Sequence, residues 1–163
     1  MLMKKQRGFT LIELLVYLGL FSLLIIVITD ILVTTLDIQL SSSAYNSVTA
    51  DGRYIYSRFI YDINRAQSVA LPQNLGDISN NLQFTADGNS YSYTLNNGNL
   101  VLTDSDGSHQ LNSYDSSISN LNFQRIGNSE GKHTFRINFT ITGKTVLRGN
   151  TEVKNFQTTA GIR

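Results

Sequence analysis

The sequence predicts an α+β protein: a long N-terminal helix, its first half transmembrane, packed against an antiparallel β-sheet. Three observations carry that reading. An apolar run of about twenty residues follows a basic N-terminus. Helical spacing of apolar residues continues well beyond that run. From about residue 70 the chain changes to short alternating segments separated by Asn, Gly, Ser and Asp.

Composition bounds the function. The chain has 163 residues, enough for one domain and an anchor. Its net charge of +1 lacks the basic excess of a dedicated nucleic-acid binder. It has no cysteine, which excludes disulfides and thiolate metal sites. Pro72 is the only proline. The charges are uneven, with Lys4, Lys5 and Arg7 ahead of the apolar run and no acid among them. The positive-inside bias therefore puts the N-terminus in the cytoplasm and the C-terminal body outside.

The apolar run is too long for a secretory signal core of about 7–15 residues, and no small-residue cleavage site follows it. It is long enough to cross roughly 30 Å of hydrocarbon as a helix. A single-pass anchor is the plain reading, and Glu13 is the objection to it. Between Phe9 and Thr29 it is the one charged residue. A charge in the bilayer core costs roughly 2.5–3.5 kcal/mol on insertion scales. Snorkelling limits that cost but gives an isolated anchor nothing in return.

The stretch "RGFTLIELLVYLGLF", Arg7 to Phe21, resembles the N-terminal signature of type IV prepilins and of type II secretion pseudopilins. The family pattern is a short basic leader, a glycine, a phenylalanine or methionine, then T-L-[IL]-E and an apolar helix. Lys4, Lys5, Arg7, Gly8, Phe9, Thr10, Leu11, Ile12 and Glu13 supply every element. The resemblance implies a type IV pilin-like fold with a leader at 1–8, a transmembrane and assembly segment at 9–29, an extracytoplasmic helix at 30–70 and a β-rich head at 71–163. It implies cleavage between Gly8 and Phe9 by a prepilin peptidase, and N-methylation of Phe9. Loss of Lys4, Lys5 and Arg7 would leave ten of the 13 basic residues against 12 acids, a net charge of −2. That balance weighs against capture of DNA by the whole domain.

The same resemblance gives Glu13 a partner. The new amine of Phe9 on one subunit would meet the Glu13 carboxylate of a neighbour, offsetting two desolvation costs and fixing an axial register. Implied partners are other pilin or pseudopilin subunits, the peptidase and membrane lipid, with an inner-membrane platform protein and an assembly ATPase acting indirectly. The implied location is the cytoplasmic membrane, single-pass, and then a pilus or pseudopilus on the cell surface or in the periplasm. "GRYIYSRFIYDINRA" is similar to a region of W-type minor pilins and J-type minor pseudopilins. Asp30 stands where many major pilins have a proline, and the C-terminal disulfide loop of many major pilins is impossible here. Both departures favour a minor pilin or pseudopilin; the resemblance implies a structural subunit and not an enzyme, and no cofactor or metal is expected. The alternatives are a pilin-fold binding module that contacts DNA in a competence pilus, and a surface adhesin subunit.

Beyond the anchor, Leu32, Leu36 and Leu40 recur at helical spacing, and Ile55, Phe59, Ile63 and Ala66 form one stripe. Asp62 is spaced for pairing with Arg58 and Arg65 on the same helix. The expected helix runs from about Phe9 to Gln67, with Gly52 as a candidate bend and Pro72 beyond its end. Expected strands are Leu82–Ala86, Ser90–Leu95, Asn99–Thr103, Ile118–Ile126 and His133–Thr142, with a further one in "EVKNFQTTA". "ADGNS" and "NNGN" read as hairpin turns.

Other chemistry is thin. "DSDG" at Asp104–Gly107 lacks the remaining ligands of a calcium loop and reads as a turn. His109 and His133 have no partners at metal spacing. No phosphate loop, nucleophile elbow or catalytic dyad is present. Tyr54, Tyr56 and Tyr61 are expected to pack between helix and sheet, with base stacking as the rival use. "NFT" at Asn138–Thr140 matches a glycosylation acceptor but falls within a strand.

Overall fold

The computed structural model describes residues 8–127, 133–147 and 149–163. The expected helix is present as α1, Leu11–Arg65. The chain divides into two units, Met1–Gln39 and Leu40–Arg163, and α1 contributes residues to both. In the first unit the apolar residues of α1 are exposed on every side. In the second, one face is buried at Ala44, Val48, Gly52, Ile55, Phe59 and Ile63. The helix ends at Arg65, whose charge suits the negative end of the helix dipole.

Among the described residues, the rest of the second unit has nine strands in two antiparallel sheets, where the sequence alone indicates one. The strands are β1 Ser68–Leu71, β2 Ile78–Ser79, β3 Leu82–Ala86, β4 Asn89–Asn96, β5 Asn99–Asp104, β6 Gly107–Gln110, β7 Ser116–Ile126, β8 Thr134–Leu147 and β9 Asn150–Gly161. The first sheet has the order β1-β3-β4-β5-β6 and the second β2-β7-β8-β9. β1, β2 and β6 carry no alternation in the sequence. They exist through pairing with β3, β7 and β5. Asp87–Gly88 and Asn97–Gly98 turn the hairpins β3–β4 and β4–β5 with positive φ at both positions, which these residue types tolerate. The "DSDG" segment is the β5–β6 turn, and "NFT" lies inside β8.

Alternation in β8 fills the core as its pattern predicts, with Phe135, Ile137, Phe139 and Ile141 all buried. Phe59 joins the layers. Its ring lies 4.8 Å from Tyr93 of the first sheet, and 5.3 Å and 5.9 Å from Phe123 and Phe139 of the second. The contacts are edge-on, the geometry that ring quadrupoles favour.

Gly52 serves close packing. A Cβ there would collide with the ring of Phe156, which stacks on Phe139 with centroids 5.1 Å apart. Tyr54, Tyr56 and Tyr61 correct an expectation. All three are exposed and none lies between helix and sheet, because the buried stripe is Ile55, Phe59 and Ile63. Tyr61 instead lies under the guanidinium of Arg65, 5.1 Å from the ring centroid.

Two buried or half-buried acids hold polar junctions. Asp62 is fully buried and accepts from Arg58 Nε at 2.8 Å, from Arg65 Nε at 3.0 Å and from the Tyr93 hydroxyl. The helical pairs follow from spacing, but the Tyr93 bond ties α1 to the first sheet. Burial works against charge on both arginines and is outweighed by their partners: Asp62 and Tyr93 around Arg58, Tyr91 and Asp62 around Arg65. Both guanidinium pKa values are raised. Asp51 accepts from Ser113 N at 2.9 Å, Ser113 Oγ at 2.7 Å and Ser116 Oγ at 2.5 Å, fixing the loop before β7.

Helix propensity alone says that Gly52→Ala gains roughly 1 kcal/mol. The Phe156 contact reverses the sign, and a loss of about 1–3 kcal/mol is expected from overpacking. Urea denaturation of the two proteins measures it.

Burial first, and the Asp62 charge second, push the Tyr93 hydroxyl well above its ordinary value of 10.0. An unfolded chain releases this proton near pH 10 while the folded chain keeps it. The contribution is therefore complete below about pH 10 and is lost as pH rises past it, by at most about 1.4 kcal/mol per pH unit. Tyr93→Phe is less stable at neutral pH, and its urea midpoint falls less steeply with pH above about 10.

Candidate processing and assembly site

Gly8, Phe9 and Thr10 precede α1 and are exposed. Thr10 is the N-cap. Its hydroxyl accepts from the Glu13 backbone N–H at 3.3 Å, and its carbonyl accepts from Leu14 N at 3.2 Å. A threonine followed three residues later by glutamate is the capping-box pattern, which satisfies otherwise orphaned donors in the first turn. Reading the sequence for charge and leader chemistry missed this role of Thr10. The signal was in "TLIE" itself.

Glu13 therefore sits in the first helical turn, where the helix dipole favours a negative charge by about 0.3–1 kcal/mol. Its side chain is exposed, and among the described residues no cation lies in ion-pair reach of it. Phe9 is 74% exposed and touches Tyr17 edge-on, with ring centroids 5.9 Å apart. The structure thus brings Phe9, Thr10 and Glu13 to one helix end with Gly8 immediately before it. Lys4, Lys5 and Arg7 lie outside the described residues.

The following turns are apolar all round, and none of the most apolar stretch is buried within the chain. Leu11, Ile12, Leu14, Leu15, Leu18 and Leu20 are each more than half exposed. Such a surface calls for lipid or other helices as its solvent. The serine and threonine hydroxyls within and just beyond the run are internally satisfied. Ser22 Oγ donates to Gly19 O at 2.8 Å, Thr29 Oγ1 to Ile25 O at 2.9 Å and Thr34 Oγ1 to Asp30 O at 2.8 Å. The helix continues through Asp30 without a break. Among the described residues no group of three or more His, Cys, Asp or Glu is placed to hold a metal ion.

Residues 3–29 match the family described as the prokaryotic N-terminal methylation motif. The chain carries a prepilin-type signature. The match covers the basic leader, Gly8, Phe9, Glu13 and the apolar turns, and so supports a type IV pilin-like or pseudopilin-like precursor. The motif implies a structural subunit and, as partners, other pilin subunits and a prepilin peptidase; with the long apolar helix it suggests a membrane anchor. No curated protein and no solved structure matches the chain.

Proposed function

We propose that this protein is a minor structural subunit of a type IV pilus or type II secretion pseudopilus. The observation that carries the reading is the methylation motif at residues 3–29, set directly before an apolar helix that its own chain leaves uncovered. In this reading residues 1–8 are a leader whose Lys4, Lys5 and Arg7 hold it in the cytoplasm. The peptidase cuts the Gly8–Phe9 bond, and the amine of Phe9 is methylated. The non-helical, exposed backbone at Gly8 and Phe9 suits entry into a protease cleft, and Gly8 adds no Cβ to obstruct it.

Residues 9–29 then form the membrane and assembly segment, the rest of α1 to Arg65 the extracytoplasmic helix, and the chain from β1 onward the rest of the head. Assembly carries the subunit out of the membrane into a fibre, driven indirectly by a platform protein and an ATPase. Glu13 has two jobs in this scheme. Its backbone N–H is held by the Thr10 cap of its own helix, and its carboxylate receives the Phe9 amine of a neighbouring subunit. The minor-subunit assignment rests on the similarity of "GRYIYSRFIYDINRA" to minor pilins and minor pseudopilins, on Asp30 in place of a proline, and on the absence of cysteine.

Mass spectrometry of protein extracted from cells that assemble the fibre tests the processing step. The expected N-terminus is a methylated Phe9. An intact Gly8–Phe9 bond in the fibre form overturns it.

The two jobs of Glu13 separate by substitution. Glu13→Gln and Glu13→Leu both keep the backbone N–H that Thr10 caps, and both remove the charge. Both variants are expected to insert into the membrane and be cut after Gly8, yet to enter fibres at roughly a tenth of the normal rate or less, the size of a lost 1.4 kcal/mol contact. Normal incorporation of Glu13→Gln rules out the intersubunit charge pair.

A further inference from the structure

We propose that the groove around the irregularity in β7 is a binding site for a neutral saccharide. This goes beyond the assembly reading and does not depend on it. β7 and β8 lose register between Ser119 and Asn122, and Asn120 there has a φ of 52°. Such a bulge bends a strand and re-aims its side chains. Two hollows meet at it and share Asn120 and Asn122. One of about 490 Å³ is bounded by Asn80 and Asn81 of the β2–β3 connection, Leu95 of β4, and Asn120, Leu121 and Asn122 of β7. The other, of about 300 Å³, extends across β8 and β9 past Asn138, Thr140, Asn155 and Gln157.

The chemistry of the lining is specific. Among the described residues, neither hollow has a charged residue in its wall. Register sets the amides in rows, with Asn122 opposite Asn138, Asn138 opposite Gln157, and Thr140 opposite Asn155. Asparagine is a poor strand former, so this concentration runs against local propensity, and such violations gather at functional sites. Internal bonds hold part of the array: Asn138 Nδ2 donates to Asn122 Oδ1 at 2.9 Å, Asn122 Nδ2 to Asn120 O at 3.2 Å, Asn120 Nδ2 to Thr140 Oγ1 at 3.4 Å and Thr140 Oγ1 to Asn155 Oδ1 at 2.7 Å. A primary amide offers two donors and two acceptor sites, so each of these side chains still has donor or acceptor capacity left for a ligand.

An ionised ligand would find no counter-charge here. An apolar one would strip water from the amides and replace none of their hydrogen bonds. Sugar hydroxyls both donate and accept, and a sugar C–H face can rest on the half-buried Leu95. The larger hollow falls within the ligand-pocket range of about 300–1,000 Å³. An extended peptide is the competing occupant. It recognises a sheet chiefly by main-chain pairing at a strand edge, whereas this wall is rich in side-chain amides.

The test uses the full chain in micelles of a detergent without a sugar headgroup. Saturation-transfer NMR is recorded with maltotriose, chitotriose and, as the peptide control, tetraalanine. Transfer to at least one trisaccharide and none to tetraalanine is expected. Asn120→Gly combined with Asn122→Ser should weaken the saccharide by roughly tenfold or more. Glycine at 120 keeps the positive φ without strain. Circular dichroism checks that the double variant is folded. If it is not, Asn81→Ala, outside the strands, should still weaken binding by about threefold or more. The proposal fails if neither trisaccharide gives transfer at about 10 mM, if binding survives in the folded variants, or if tetraalanine binds in preference.

Discussion

The contact of Phe59 with Tyr93, Phe123 and Phe139 is the junction on which the β-rich unit depends. Neither sheet is closed, and each has an apolar face that water would penalise. A helix stripe of Ile55, Phe59 and Ile63 covers both faces at once, because successive apolar residues lie one turn apart. Removing the stripe would leave two half-covered sheets and no core. The packing also explains Gly52, since a helix that lies this close to the Phe156 ring has no room for a side chain at that turn.

Polar ties complete what apolar burial leaves undirected. Burial alone lets a helix slide along a sheet, whereas Asp62 and Asp51 make directional bonds to Tyr93 and to the Ser113–Ser116 loop. A buried carboxylate is tolerated because two guanidinium groups and a hydroxyl replace its water. The network is therefore a device for position, and its members are valuable only together.

At the other end of α1 the same two themes recur with the apolar surface left uncovered. The helix starts at a Thr10 cap, carries one acid in its first turn and then offers only hydrocarbon. An apolar rod has no preferred depth or rotation against similar rods. In the proposed assembly, one charge close to the Phe9 amine of a neighbour would supply a preferred register, which would give a residue so costly in lipid a use.

The sequence by itself determined what periodicity and local chemistry encode. The long helix, the alternating strands β3, β4, β5, β7, β8 and β9, the Asp87–Gly88 and Asn97–Gly98 turns, and the leader-to-Glu13 signature were all legible. Tertiary structure alone decided the division of strands into two sheets and the existence of β1, β2 and β6. Pairing partners distant in the chain stabilise those short segments, and no local pattern records them. It also decided which side of α1 is covered. The Tyr54, Tyr56 and Tyr61 rings are apolar enough to be core, but the angle of each position around the helix leaves them outside. The roles of Gly52 and Tyr93 likewise depend on Phe156 and Asp62, residues 104 and 31 positions away, because close packing and burial join parts of the chain that spacing cannot relate.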